Sequence, residues 1–234
     1  MTGVDLRHRG LILDRRPSLT GDAATAVFSP DRTYRYSLTR RWDNTAPLAC
    51  FIMVNPSTAD ALTDDPTIRR CCSFARSWGA GGLLVVNLFA LRATNPDELR
   101  RHPDPVGPDN DYAIRYLLSA NPYRPPGWVV AAWGVHGLLD GRDEQVFALV
   151  ADTPAAGLQC LGTTRDGQPR HPLYVRGGTP LAAFPEAACP TRAGTVAGSL
   201  KGSGKPATAE VRVPAAADAR GTAGTRHTSR GAPC

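Results

Sequence analysis

The sequence predicts an α/β fold: three layers, α/β/α, with a mostly parallel central sheet of about four core strands and an N-terminal hairpin. Three observations predict it. Four apolar runs, Leu48 to Val54, Leu83 to Leu91, Trp128 to Ala132 and Leu158 to Leu161, lack the polar alternation of a half-exposed strand, so they belong to strands buried on both faces. Segments with apolar residues at helical spacing separate these runs. Upstream, AVFSPDRTYRYSLTRRW alternates at strand period around a Pro30-Asp31 turn, the pattern of a hairpin over Ala26 to Trp42.

Each element has a local reason. Pro47 and Asn55 bound the first core strand. Asp65-Pro66 opens a helix, with Asp as N-cap and Pro at the first helical position. Ile68, Cys71, Cys72, Ala75 and Trp78 form its apolar stripe, and Gly79 stops it. Asp109 to Ser119 reads as a second helix with Ile114, Leu117 and Leu118 on its apolar face. Asp143 to Val150 reads as a third. The resulting β-α-β-α-β-α-β order implies parallel strands covered on both sides.

Composition divides the chain of 234 residues into a partly ordered segment 1–25, a single domain 26–184 and a disordered tail 185–234. The tail, rich in Ala, Gly and Arg and ending TAGTRHTSRGAPC, has too few apolar residues to offset the entropy of ordering. The net charge of +6 suits an anionic partner, nucleic acid first and DNA before RNA, although a solvated basic tail explains part of it. Six cysteines show no ligand spacing: Cys71 and Cys72 are adjacent, Cys50 lies in an apolar run and Cys234 is the last residue. No metal site, no cofactor and no disulfide framework is expected, and a reducing cytoplasm is the simplest setting. The apolar stretch near the N-terminus is too short for a signal peptide, and no run is long enough to span a membrane. A soluble monomer is expected.

In an open parallel sheet, ligands bind beyond the carboxyl ends of the strands. Asn55, Asn87, Trp133-Gly134 and His171 all fall at that rim by sequence position. Asn55-Pro56 with Ser57 also suits a plain turn. Asn87 interrupts Val85-Val86-Asn87-Leu88-Phe89, where an unsatisfied carboxamide costs about 1–3 kcal/mol. Its planar edge both donates and accepts, which suits a nucleobase. His171 lies in a Pro/Gly-rich loop beside Arg165 and Arg170, and His136 is a further candidate. Asp60 and Asp64 suit a cation, an activated water or a solvated loop. Arg69, Arg70, Arg92, Arg165 and Arg170 suit phosphates.

The stretches FIMVNPSTADALTDDPTIRRCCSFARSWGAGGLLVVNLFALRATNP, DPVGPDND, AAWGVHG and GTTRDGQPRHPLYV closely resemble a bacterial and phage family known as domain of unknown function 1643, over roughly 32–181. More remotely, the order Asn55-Pro56, Leu84-Val85-Val86-Asn87, Trp133-Gly134, His171-Pro172 resembles the uracil-DNA glycosylase superfamily. That resemblance implies a uracil-DNA glycosylase-like fold and hydrolysis of the N-glycosidic bond of a modified or damaged base in DNA. Asn55 then orients water, His171 steadies the leaving base, and Asn87 reads the base edge, with Phe89 or Trp133 as an aromatic shelf. Leu173 or Tyr174 fills the vacated stack, and Ser57 and the arginines grip phosphates. The first loop departs from that pattern in having no aromatic or glycine beside the base. Two other readings stand beside it: a hydrolase or transferase acting on free nucleotides or nucleosides, and a non-catalytic reader of modified nucleic acid.

Overall fold

Buried apolar strands need a partner on each edge and a cover on each face, and the chain meets both needs with one eight-stranded sheet. The computed structural model describes residues 9–16, 23–57, 63–119, 125–155 and 157–184. All lie in one compact unit, Met1–Gly194; the expected tail 185–234 and Asp60 lie outside the described residues.

The strands are β1 (Ile12–Arg16), β2 (Ala23–Phe28), β3 (Arg35–Arg41), β4 (Leu48–Met53), β5 (Gly82–Asn87), β6 (Trp128–Ala131), β7 (Leu158–Cys160) and β8 (Ala182–Ala183). Their spatial order is β1-β2-β3-β5-β4-β6-β7-β8. β5, β4, β6 and β7 pair in parallel, whereas β1-β2, β2-β3, β3-β5 and β7-β8 are antiparallel. The eight-stranded sheet is therefore mixed, with the parallel strands in its interior and antiparallel strands on both sides. There are two causes: β3 docks alongside β5 and carries β2 and β1 outward with it, and β8 adds antiparallel to β7 at the other edge.

The helices are α1 (Pro66–Ser77), α2 (Pro96–Arg101), α3 (Asn110–Ser119) and α4 (Arg142–Ala151). α1 begins as its sequence dictates: the Asp65 carboxylate accepts from the Ile68 N–H at 2.8 Å, a cap worth about 1 kcal/mol. Its Ile68, Cys71, Phe74 and Ala75 pack with Phe51, Met53, Leu83 and Val85 on one sheet face. Trp78 closes that layer by stacking on Phe51 at 5.7 Å. On the other face, Ile114, Leu117 and Leu118 of α3 and Val146 and Leu149 of α4 meet Ile52, Leu84, Val86 and Ala131. α2, absent from the sequence reading, starts with a capping box formed by Asn95 and Glu98. No described helix is long and apolar enough to cross a membrane.

The parallel strands end at one level. Met53 is in register with Asn87, and Ile52 with Ala131. Asn55 and Gly134 each lie three residues beyond that second pair, so the loops after β4 and β6 leave the sheet together.

Candidate functional site

The loop after β4 is fastened to the loop after β5. Asn55 Nδ2 donates to the carbonyls of Pro56 at 3.0 Å and Ala93 at 2.7 Å, and the Ala93 N–H donates to Pro56 O at 3.1 Å. Both side-chain partners are carbonyls, so the amide nitrogen must face them and Oδ1 faces away. The half-buried Asn55 thus offers an oriented acceptor at the rim.

Asn87 ends β5 and is 1% exposed. Strand alternation puts it on the face of Leu83 and Val85, beside Met53. Neither its Nδ2 nor its Oδ1 has a hydrogen-bond partner. Buried carboxamides are almost always satisfied, so two orphaned atoms on one planar edge require an explanation. The surrounding backbone is pinned: Asn110 Nδ2 donates to the carbonyls of Asn87 at 3.0 Å and Leu88 at 2.9 Å, and Arg142 Nε donates to Leu88 O at 2.8 Å. Arg142 in turn pairs with Asp111. The backbone is held and the side-chain edge is left unused.

His171 arrives through the loop after β7. Arg170 N–H donates to Gly162 O at 2.9 Å and Thr163 bridges Pro169, folding this loop back on itself. Gly134 N–H donates to Pro169 O at 3.0 Å. A Cβ on Gly134 would sit 3.6 Å from His171 Cβ, so the loops after β6 and β7 touch here; its φ of +69° also favours glycine. His171 Nδ1 accepts from the Leu173 N–H at 3.4 Å, which places the proton of the neutral ring on Nε2. Burial pushes the imidazole pKa down, and the Asp65 carboxylate pulls partly the other way.

The ring is therefore neutral at pH 7, and its titration has a definite sign. The unfolded chain takes the proton first, so His171 makes stability fall as pH drops below about 6.5 and level off below the folded pKa. An NMR titration should show a midpoint below the ordinary histidine value. Asp65→Asn keeps the cap and should lower it further; a midpoint at or above the ordinary value contradicts this environment.

The other expected residues divide plainly. Ser57 and Arg92 line a cleft of about 440 Å³ together with Arg32, Thr33, Ala93, Thr94 and Glu98. Arg69 is exposed and donates to the Asp64 carbonyl at 2.6 Å, while Arg70 reaches Val175 O. Arg165, Arg170 and His136 are exposed, and Arg170 Nε donates to Thr163 O. Leu173 and Tyr174 are exposed, at 43% and 82%. Asp64 is engaged with Arg40 at 2.6 Å.

Phe89 and Trp133 do not reach the rim. Phe89 is 1% exposed within the core. Trp133 is 2% exposed, lies edge-on to Phe184 at 5.5 Å and donates through its indole N–H to Gln168 Oε1 at 2.9 Å. Gly137 is required by that packing, since a Cβ there would meet Trp133 Cδ1 at 2.1 Å. Gln168 also approaches Asp143, whose carboxyl pKa burial pushes up.

The described cysteines, Cys50, Cys71, Cys72 and Cys160, are free. Burial raises all four thiols, Cys72 to about 11, so none is a thiolate nucleophile at neutral pH. Sequence reasoning missed Asn110 and Arg142, whose signal is slight: a polar residue near a helix start resembles a solvated cap.

A family described as "Protein of unknown function (DUF1643)" matches residues 35–173. No curated protein and no solved structure matches the chain.

Proposed function

The chain belongs to the DUF1643 family, and we propose that it is a DNA glycosylase-like enzyme, hydrolysing the N-glycosidic bond of a modified or damaged base. One observation carries the reading: Asn87 presents a buried, unpartnered carboxamide edge at the carboxyl end of the parallel strands. A nucleobase edge supplies a donor and an acceptor to match it. The order of Asn55-Pro56, Asn87, Trp133-Gly134 and His171-Pro172 resembles the uracil-DNA glycosylase superfamily and supports the same reading, including a uracil-DNA glycosylase-like sheet.

The chemistry asks little of the chain. The bond between C1′ and the base nitrogen breaks with its electron pair on the base, and a water oxygen bonds to C1′. Asn55 Oδ1 accepts from that water and orients it, while the water proton ends on the released base. His171, neutral with its proton on Nε2, donates to the anionic base; one such donor contributes about 2.7–4 kcal/mol. Both amide atoms of Asn87 are closed to solvent, so the proposed base entry requires the rim to open. Leu173 and Tyr174 are exposed to fill the vacated stack, and Arg69, Arg165 and Arg170 to meet flanking phosphates.

Full-length protein incubated with oligonucleotides carrying uracil, hydroxymethylated pyrimidines, hypermodified bases and mismatches should form abasic sites on one class. Asn55→Ala and His171→Ala should each lower that rate about 100-fold. Binding without abasic sites on any substrate would replace the enzyme with a reader of modified nucleic acid.

A further inference from the structure

We propose that the cleft between the hairpin tip and the loop after β5 seats a single phosphoryl group beside the Asn55 loop. The cleft, of about 440 Å³, joins Arg32 and Thr33 from the β2-β3 turn to Ser57 after β4 and to Arg92, Thr94 and Glu98 after β5. These come from three separate parts of the chain, and each part is fixed.

The turn is held by Asp31, which accepts from Ser29 Oγ at 2.5 Å, Thr33 N at 3.1 Å and Thr33 Oγ1 at 2.7 Å. These donors, the serine hydroxyl first, keep the Asp31 pKa down at about 2. Arg32 occupies the left-handed region with φ of 60°, a conformation costing a non-glycine residue about 1–2 kcal/mol. Its guanidinium and that of Arg92 both lie over the Phe28 ring, at 4.9 and 5.3 Å from the centroid. Arg92 is fastened by its main chain to Thr33 O at 3.0 Å and by Nη1 to Arg32 O at 3.1 Å.

Two guanidiniums on one ring concentrate positive charge at this wall, and an anion offsets it. Asp14 pairs with Arg32 at 2.9 Å, which makes Arg92 the principal cation for a ligand, with the Ser57 and Thr94 hydroxyls as neighbouring donors. Glu98 opposes an anion and limits affinity. The wall is coupled to the proposed water-orienting amide, because Ala93 lines the cleft and its carbonyl accepts from Asn55 Nδ2 at 2.7 Å. The role of the phosphate beside the scissile nucleotide rests on the glycosylase reading; phosphate binding itself does not.

Inorganic phosphate titrated into the isotopically labelled full chain should give saturable NMR shifts confined to Thr33, Ser57 and Arg92 to Thr94. Arg92→Gln should weaken binding at least about tenfold, one charge-assisted hydrogen bond's worth. Glu98→Gln keeps the capping acceptor for the Asn95 N–H and should tighten binding several-fold. Shifts scattered over the surface arginines, or equal affinity in both variants, would overturn the site. A 5′-mononucleotide or a single-stranded oligonucleotide should then displace phosphate. Whichever competes better identifies the source of the phosphoryl group, and competition by neither overturns the proposal. Phosphate binding without base release removes the glycosylase reading and leaves the cleft; base release with phosphate affinity unchanged in Arg92→Gln does the reverse.

Discussion

Asn87→Leu should make the protein more stable and, on the proposed glycosylase reading, abolish base release. Leucine has the branching and heavy-atom count of asparagine, though its methyls are bulkier, and it carries no polar atoms. It therefore avoids leaving two buried groups unpaired, each costing about 1–3 kcal/mol, and gains apolar contact with Met53 and Val85. Denaturant unfolding should show a gain of about 1–3 kcal/mol after some loss to imperfect fit. Base release should fall by about 100-fold or more, because a site built to hydrogen-bond its substrate discriminates strongly when those bonds are absent. The opposite signs are the point: a merely structural asparagine would lower stability when replaced. A stability loss in Asn87→Leu would mean that the carboxamide already has partners.

Trp133→Ala should cost about 3–5 kcal/mol, the range for deleting a buried aromatic side chain. The indole fills the core against Phe184, and its N–H is the donor to Gln168 Oε1. Trp133→Phe separates the two terms. It keeps most of the volume but strands the Gln168 oxygen, and should cost about 1–3 kcal/mol. Loss of stability with the His171 loop displaced is expected, since Gln168 and His171 share that loop. If Trp133→Ala unfolds like the wild type and loses only ligand affinity, the ring is a base shelf and the packing described above is wrong.

Local chemistry made much of the molecule legible. Asp65-Pro66 announces α1 because capping needs only neighbouring residues. Continuous apolar runs reveal β4, β5 and β6 because a doubly covered strand has no polar face to show. What stayed hidden depends on distant pairing. β1, with the sequence ILDRR, is half polar and becomes a strand through β2. Nothing local says that β3 lies against β5 or that β8 returns antiparallel to β7, and these placements convert a parallel sheet into a mixed one.

The same division holds at the site. Asn87 was legible because a carboxamide inside Val-Val-Asn-Leu-Phe conflicts with its surroundings. Asn110 and Arg142 were not, since a polar residue near the start of a helix looks solvated until the fold buries it at 0% and 2% exposure. Phe89 and Trp133 show the converse: an aromatic residue after a strand has the same sequence signature whether it floors a pocket or fills a core. Arg32 joined Arg92 only through the hairpin's long-range docking.

The most direct test is the side-chain amide resonance pair of Asn87, followed in His171→Ala protein as a base-bearing oligonucleotide is added. That variant should bind without rapid turnover. Both protons of the Asn87 carboxamide should shift and become protected as the base edge takes up its donor and acceptor. Backbone amides elsewhere responding while the Asn87 side chain stays unmoved would place the base at another site and contradict the account.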